Sequence, residues 1–164
     1  MNESELLAQL RELRFLQDIE DEYLEQIAAI AKPVHFPAGK VIFHEGEALA
    51  QVYLIVRGDV SLEFCASGVG CTRVTTVVDG ELLGISPLLE QTRMTATARA
   101  TTAVEAIVLN SGQLLTLCEH NPRFGYEFMR RIVAAVAKRL NATRMQLVNV
   151  YGTQLPTVPE QQDK

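Results

Sequence analysis

The sequence predicts an α+β fold: a small β-barrel or β-sandwich of about eight short strands, between short N-terminal helices and one long C-terminal helix. Three patterns carry that prediction. Leu6, Leu7, Leu10, Leu13 and Leu16 recur at helical spacing near the start. The middle is made of short Val-, Ile- and Thr-rich runs broken by glycine turns. Positions 123–151 then pass without a proline.

The first zone runs from about Ser4 to Lys32. After the leucine series, Tyr23, Leu24, Ile27, Ile30 and Ala31 repeat the same period, which predicts a second short helix. Asp18 or Asp21 is a candidate cap for it. Pro33 is expected to end it, because proline cannot continue a helix.

The second zone, about 33–109, predicts strands at 34–36, 40–43, 51–57, 60–64, 71–77, 96–100 and 104–109. Turn signals separate them: Pro37-Ala38-Gly39, Glu45-Gly46-Glu47, Arg57-Gly58-Asp59 and Ser67-Gly68-Val69-Gly70. In the third zone, Leu114, Leu115 and Leu117 predict a short helix. Pro122 suits the first position of a longer one, where a missing N–H costs nothing. That helix, 122–151, is roughly 45 Å long. Residues 152–164 are polar with two prolines and are expected to form a disordered tail, so the folded domain is 1–151.

The 164 residues carry a net charge of −5 and are 48% hydrophobic, a globular composition of one domain. An acidic balance gives no footprint for nucleic acid. Arg130, Arg131, Lys138, Arg139 and Arg144 recur at helical spacing and read as a solvated helix face. No window is apolar enough to span a membrane, and the charged N-terminus lacks a signal-peptide core, so no membrane contact and a cytoplasmic location are expected. The three cysteines have no metal-type spacing. Cys65 and Cys71 flank a hairpin turn and are expected as thiols packed on strands. Cys118 is expected to be buried. His35, His44 and His120 are too scattered for a metal site. No Ser-His-Asp order, P-loop or dinucleotide fingerprint appears. No cofactor is expected.

Four segments, in order, bring a family into view. They are Pro37-Ala38-Gly39 followed by Ile42 and Gly46, then Val52–Val60 with Arg57-Gly58-Asp59, then Gly80-Glu81-Leu82-Leu83-Gly84, and finally Thr95-Ala96-Thr97-Ala98-Arg99-Ala100. Together they resemble cyclic nucleotide-binding domains of the catabolite activator and fumarate–nitrate regulator kind. The resemblance covers about residues 5–150 and implies a jelly-roll barrel with a phosphate-binding cassette. By that resemblance the cassette runs from Gly84 to Thr97 and has Gly84, Ile85, Ser86, Arg93, Met94, Thr95 and Ala96 as ligand-site positions.

The cassette departs from the family at its charged positions. Ile85 stands where the family has the glutamate that accepts the ribose hydroxyl. Met94 stands where it has the arginine that pairs with the cyclic phosphate, and Arg93 takes a proline's place. Neither Ile85 nor Met94 offers a charge or a hydrogen bond of comparable strength. Cyclic nucleotide binding is therefore expected to be weak or absent, with Arg93 a candidate substitute cation and Ser86 and Thr95 remaining as hydroxyl donors. The resemblance implies a non-enzymatic regulatory or sensor module acting through an unknown protein partner. A ligand-free interaction scaffold and a sensor of another small molecule are the alternatives. Only 151–164 follows the long helix, so no DNA-reading module is expected in this chain. The helix has a stripe including Phe128, Ile132, Val136, Leu140, Thr143, Leu147 and Val150, with steps of three and four. It predicts a homodimer seam through Phe128, Ile132, Val136, Leu140 and Leu147, in preference to packing on the chain's own barrel.

Overall fold

The computed structural model describes residues 3–68, 70–89, 93–152 and 154. Its elements are α1 (Glu3–Glu12), a 3₁₀ turn (Arg14–Leu16), α2 (Asp21–Ile30), β1 (Ala31–Phe36), β2 (Val41–Phe43), β3 (Gln51–Arg57), β4 (Val60–Ala66) and β5 (Gly70–Val77). There follow β6 (Leu82–Leu83), a second 3₁₀ turn (Ser86–Leu89), β7 (Thr97–Ala100), β8 (Val104–Asn110), α3 (Ser111–His120) and α4 (Pro122–Tyr151). The expected tail, 152–164, lies outside the described residues apart from Gly152 and Gln154.

The strands form two four-stranded antiparallel sheets, ordered β1-β8-β3-β6 and β2-β7-β4-β5. This is the jelly roll that the turn spacing predicted. The first sheet is covered on both faces. On β3, Tyr53 and Ile55 point into the barrel, while Val52 and Leu54 point out beneath the helices. β8 divides in the same way: Val104 and Ala106 face in, Ile107 and Leu109 face out. A strand buried on both faces reads as an unbroken apolar run, which is what Val52–Val56 is. The second sheet is more open toward one end: β4 is buried from Val60 to Glu63, while its tip and the facing start of β5 are exposed.

The helical layer closes over the outer face of the first sheet. Phe124, Phe128 and Ile132 of α4 are buried there with Leu10, Leu16 and Ile27. The Phe15 and Phe128 rings meet edge to face at 5.4 Å, and Tyr23 stacks on Phe124 at 5.2 Å. Gly125 permits the close turn from α3 into α4, because a Cβ there would lie 2.7 Å from the Cys118 carbonyl oxygen. Cys118 is buried as expected, and desolvation, followed by the charge of Glu119, pushes its thiol up to about 11.

Several local expectations are corrected. Pro33 does not end α2. The helix stops at Ile30, and Pro33 sits within β1, which pairs only with β8 and so needs no donor on its other side. Neither aspartate caps α2. Asp18 adopts a left-handed φ of 64° in the linker, Asp21 is already helical, and Glu20 holds the cap position without a side-chain hydrogen bond. Cys65 and Cys71 are not free thiols: they face each other across β4 and β5 and are joined as a disulfide. Phe128 and Ile132 do not belong to an exposed seam, since they are 0% and 1% exposed in the chain's own core. Val136, Leu140 and Leu147 remain 39%, 51% and 49% exposed. The stripe is thus divided: its first part packs on the helical layer and its second part faces outward.

Truncating the buried hinge of this layer should be costly. Phe128→Ala is expected to lower stability by about 3–5 kcal/mol, whereas Val133→Ala on the exposed face should stay within about 0.5 kcal/mol. Chemical denaturation midpoints of the two variants check this, and equal shifts would contradict the packing described.

Candidate functional site

The site is built where the first sheet ends and α4 crosses it. β6 is only Leu82 and Leu83, paired with Leu54 and Tyr53 of β3. The chain then turns at Gly84, whose φ of +79° and 3.1 Å approach of a would-be Cβ to the Gln51 carbonyl oxygen both favour glycine. Ile85 follows, 6% exposed, with its side chain in the helical-layer core. A single 3₁₀ turn, Ser86–Leu89, is closed by the Leu88 N–H donating to the Ile85 carbonyl at 2.9 Å.

The returning arm is pinned to the 44–47 turn. The Met94 N–H donates to the Glu47 carbonyl at 2.9 Å, and the Gly46 N–H donates to the Met94 carbonyl at 2.7 Å. The Glu45 N–H donates to Thr97 Oγ1 at 2.9 Å. These bonds hold the Met94 side chain, 3% exposed, inside the barrel core.

Between the two arms lies a cavity of about 220 Å³. Gly84, Ile85, Ser86, Met94, Thr95 and Ala96 all line it, so six of the seven residues singled out in the cassette come together. Phe43, Leu62 and Leu89 add apolar wall. Ser86 Oγ and Thr95 Oγ1 stand 3.5 Å apart. Arg93 is the exception. Its Nη1 donates to the Gly46 carbonyl at 2.7 Å on the exposed side, and it is not among the described lining residues. It braces the 44–47 turn, away from the place expected of a substitute cation.

The cation that does line the cavity is Arg139, reaching across from α4 beside Val136. Its Nη2 donates to the Leu82 carbonyl. Burial holds its guanidinium below the ordinary arginine range, against the opposing pull of Glu81. The sequence reading placed Arg130, Arg131, Lys138, Arg139 and Arg144 on a solvated face; Arg130, Lys138 and Arg144 are exposed, while Arg131 and Arg139 are half-buried and are corrected. Arg131 donates to the carbonyls of Phe15 and Gln17, at 3.0 and 2.6 Å, and Lys138 pairs with Glu81. The available signal was the spacing 131, 135, 138/139, 142, a row along α4 that borders the apolar stripe. These residues border a groove of about 310 Å³ between α4 and β5, and Arg139 lines both it and the cavity.

The chemistry available in the cavity is binding chemistry. Among its described lining residues there is no His, Cys, Asp or Glu, and so no side chain poised to move a proton near neutral pH. No group of three or more His, Cys, Asp and Glu side chains able to hold a metal ion gathers among the described residues.

A family model for the cyclic nucleotide-binding domain matches residues 33–121. The chain belongs to that family. A protein of Geobacter metallireducens assigned to the cyclic nucleotide-binding proteins is 34% identical, with a TM-score of 0.71 over 81% of this chain and 96% of its own. A cyclic nucleotide-binding domain from Methylobacillus flagellatus shares the fold at 17% identity, with a TM-score of 0.74 over 96% of this chain and 86% of its own. The CRP-like cAMP-activated global transcriptional regulator of Mycobacterium tuberculosis is 24% identical over 140 residues, which is 85% of this chain. The chain spans 61% of that regulator's length. The match spans β2 to α3 and accounts for the jelly roll.

The turn at Gly84 sets the separation of the cassette arms from β3. Gly84→Ala is expected to cost about 1–3 kcal/mol through the left-handed backbone and the crowding at Gln51. A thermal melt checks this, and a midpoint equal to the wild type's would remove the constraint.

Proposed function

We propose that this chain is a non-enzymatic regulatory module of the cyclic nucleotide-binding family whose cassette no longer takes a cyclic nucleotide, and which passes its state to a protein partner through α4. One observation carries the reading. The two positions that resemblance assigns to the family's carboxylate and guanidinium hold Ile85 and Met94, both buried as part of the apolar cores. A hydrogen bond to a charged group contributes about 1.5–3 kcal/mol, so losing two weakens binding on the order of 10³-fold. The regulatory class is supported by family membership. Net charge −5 supports a protein partner over nucleic acid. Among the described residues no helix is long and apolar enough to cross a membrane.

Calorimetry with cAMP or cGMP at millimolar concentration should give no saturable heat. A dissociation constant in the low micromolar range would overturn the reading. The double substitution Ile85→Glu, Met94→Arg should raise nucleotide affinity, because the backbone bonds of Met94 to the 44–47 turn do not depend on its side chain.

The partner-facing surface is the outer half of α4. Val136, Leu140, Thr143, Leu147 and Val150 keep alternating steps of three and four on an exposed face, and a second copy of the same helix satisfies such a seam. The homodimer proposed here therefore starts beyond Ile132. Leu140→Glu would set two carboxylates face to face at a two-fold interface and should sediment as a folded monomer, with the wild type as a dimer at tens of micromolar. A monomeric wild type would refute the dimer.

A further inference from the structure

We propose that the cassette cavity takes a small monoanion with an apolar body, an aryl or short-chain carboxylate, whose carboxylate pairs with Arg139. The inference rests on the reading that the cassette has given up cyclic nucleotides, and it names what the altered cavity suits instead.

The charge count comes first. Among the described lining residues Arg139 is the one cation and there is no carboxylate. Its hydrogen bond goes to a neutral carbonyl, that of Leu82, and it forms no ion pair with a carboxylate among the described residues. The nearby Glu81 is held by Lys138 and by the Val78 N–H. A guanidinium in that position carries a desolvation cost that an incoming anion offsets. One unit of positive charge suits one unit of negative charge. The guanidinium fork also matches a carboxylate's two oxygens.

Size and polarity fix the rest of the ligand. Phe43, Leu62, Ile85 and Met94 make the wall apolar, which disfavours a polyhydroxylated body such as a ribose. An apolar cavity of about 150 Å³ is enough for benzene, so about 220 Å³ admits a phenyl ring or a short acyl chain with its carboxylate. Ser86 and Thr95 supply hydroxyls on the cassette side. The adjoining groove is a poorer anion site, because the Glu81 carboxylate itself lines it and pairs with Lys138. The cation that meets the anion comes from α4, so occupancy would be felt directly by the helix that carries the exposed stripe.

The test uses the full chain with phenylacetate and its uncharged isostere phenylacetamide as probes, read by ligand-observed NMR and calorimetry. Phenylacetate should saturate at sub-millimolar concentration and bind about tenfold tighter than the amide. Arg139→Gln should abolish that preference, and Arg139→Lys, which keeps the charge, should retain much of it. Circular dichroism establishes that each variant is folded. If Arg139→Gln does not fold, the comparison of acid with amide on the wild type and on Arg139→Lys still decides. Absence of saturable phenylacetate binding, equal affinity for acid and amide, or an unchanged preference in folded Arg139→Gln would each overturn the proposal. A parallel cAMP titration separates the two levels. Silence toward both cAMP and phenylacetate overturns only the carboxylate, while micromolar cAMP binding overturns the reading beneath it.

Discussion

The pairing of β3 with β8 is the constraint on which the molecule rests. Here two layers share a wall: Tyr53, Ile55, Val104 and Ala106 belong to the barrel, and Val52, Leu54, Ile107 and Leu109 to the helical layer. A one-residue slip in this register would exchange those sets and present each layer with the other's side chains. The register is held from both flanks, by β1 on one side of β8 and β6 on the far side of β3. Everything functional hangs from it, since β6 leads into Gly84 and β8 leads, through the Asn110 cap, into α3 and α4.

The same arrangement positions the cassette. Its shape is made by backbone bonds between the 44–47 turn and Met94, and by the turn at Gly84 beside Gln51. Ile85 and Met94 contribute to the two cores as well as lining the cavity between the arms. Burying each such side chain contributes roughly 1.5–3 kcal/mol.

Much of this was legible in the residues. Period-two apolar runs between glycine turns located seven of the strands, and Pro122 marked the start of α4. β6 escaped because two leucines have no period, and only the pairing with Leu54 and Tyr53 makes them a strand. Pro33 misled because a breaker within a helix is tolerated on an edge strand, and edge status is a property of the sheet. The cassette positions were readable by motif, but the fate of their neighbours was not. Arg93 and Arg139 look alike in sequence, and only the fold shows one bonded to a turn carbonyl and the other lining the cavity. Phe128 and Leu140 lie on one stripe, yet how far the helical layer reaches along α4 is set by elements more than a hundred residues earlier. The facing of Cys65 and Cys71 followed from the hairpin. Their union did not, because strand pairing brings sulfurs together without fixing their oxidation state.

The uneven support of α4 makes it a lever. It is clamped over its first turns by Phe124, Phe128 and Ile132, and touched again at Lys138 and Arg139 by the end of the first sheet. From Arg139 to Tyr151 the remaining arm is roughly 18 Å long. A tilt of about 5° at that fulcrum would carry the far end through about 1.6 Å, a displacement of the size that repacks helix interfaces. The fulcrum and the cavity share a side chain, so a change in what lies against Arg139 is applied at the point of greatest mechanical gain.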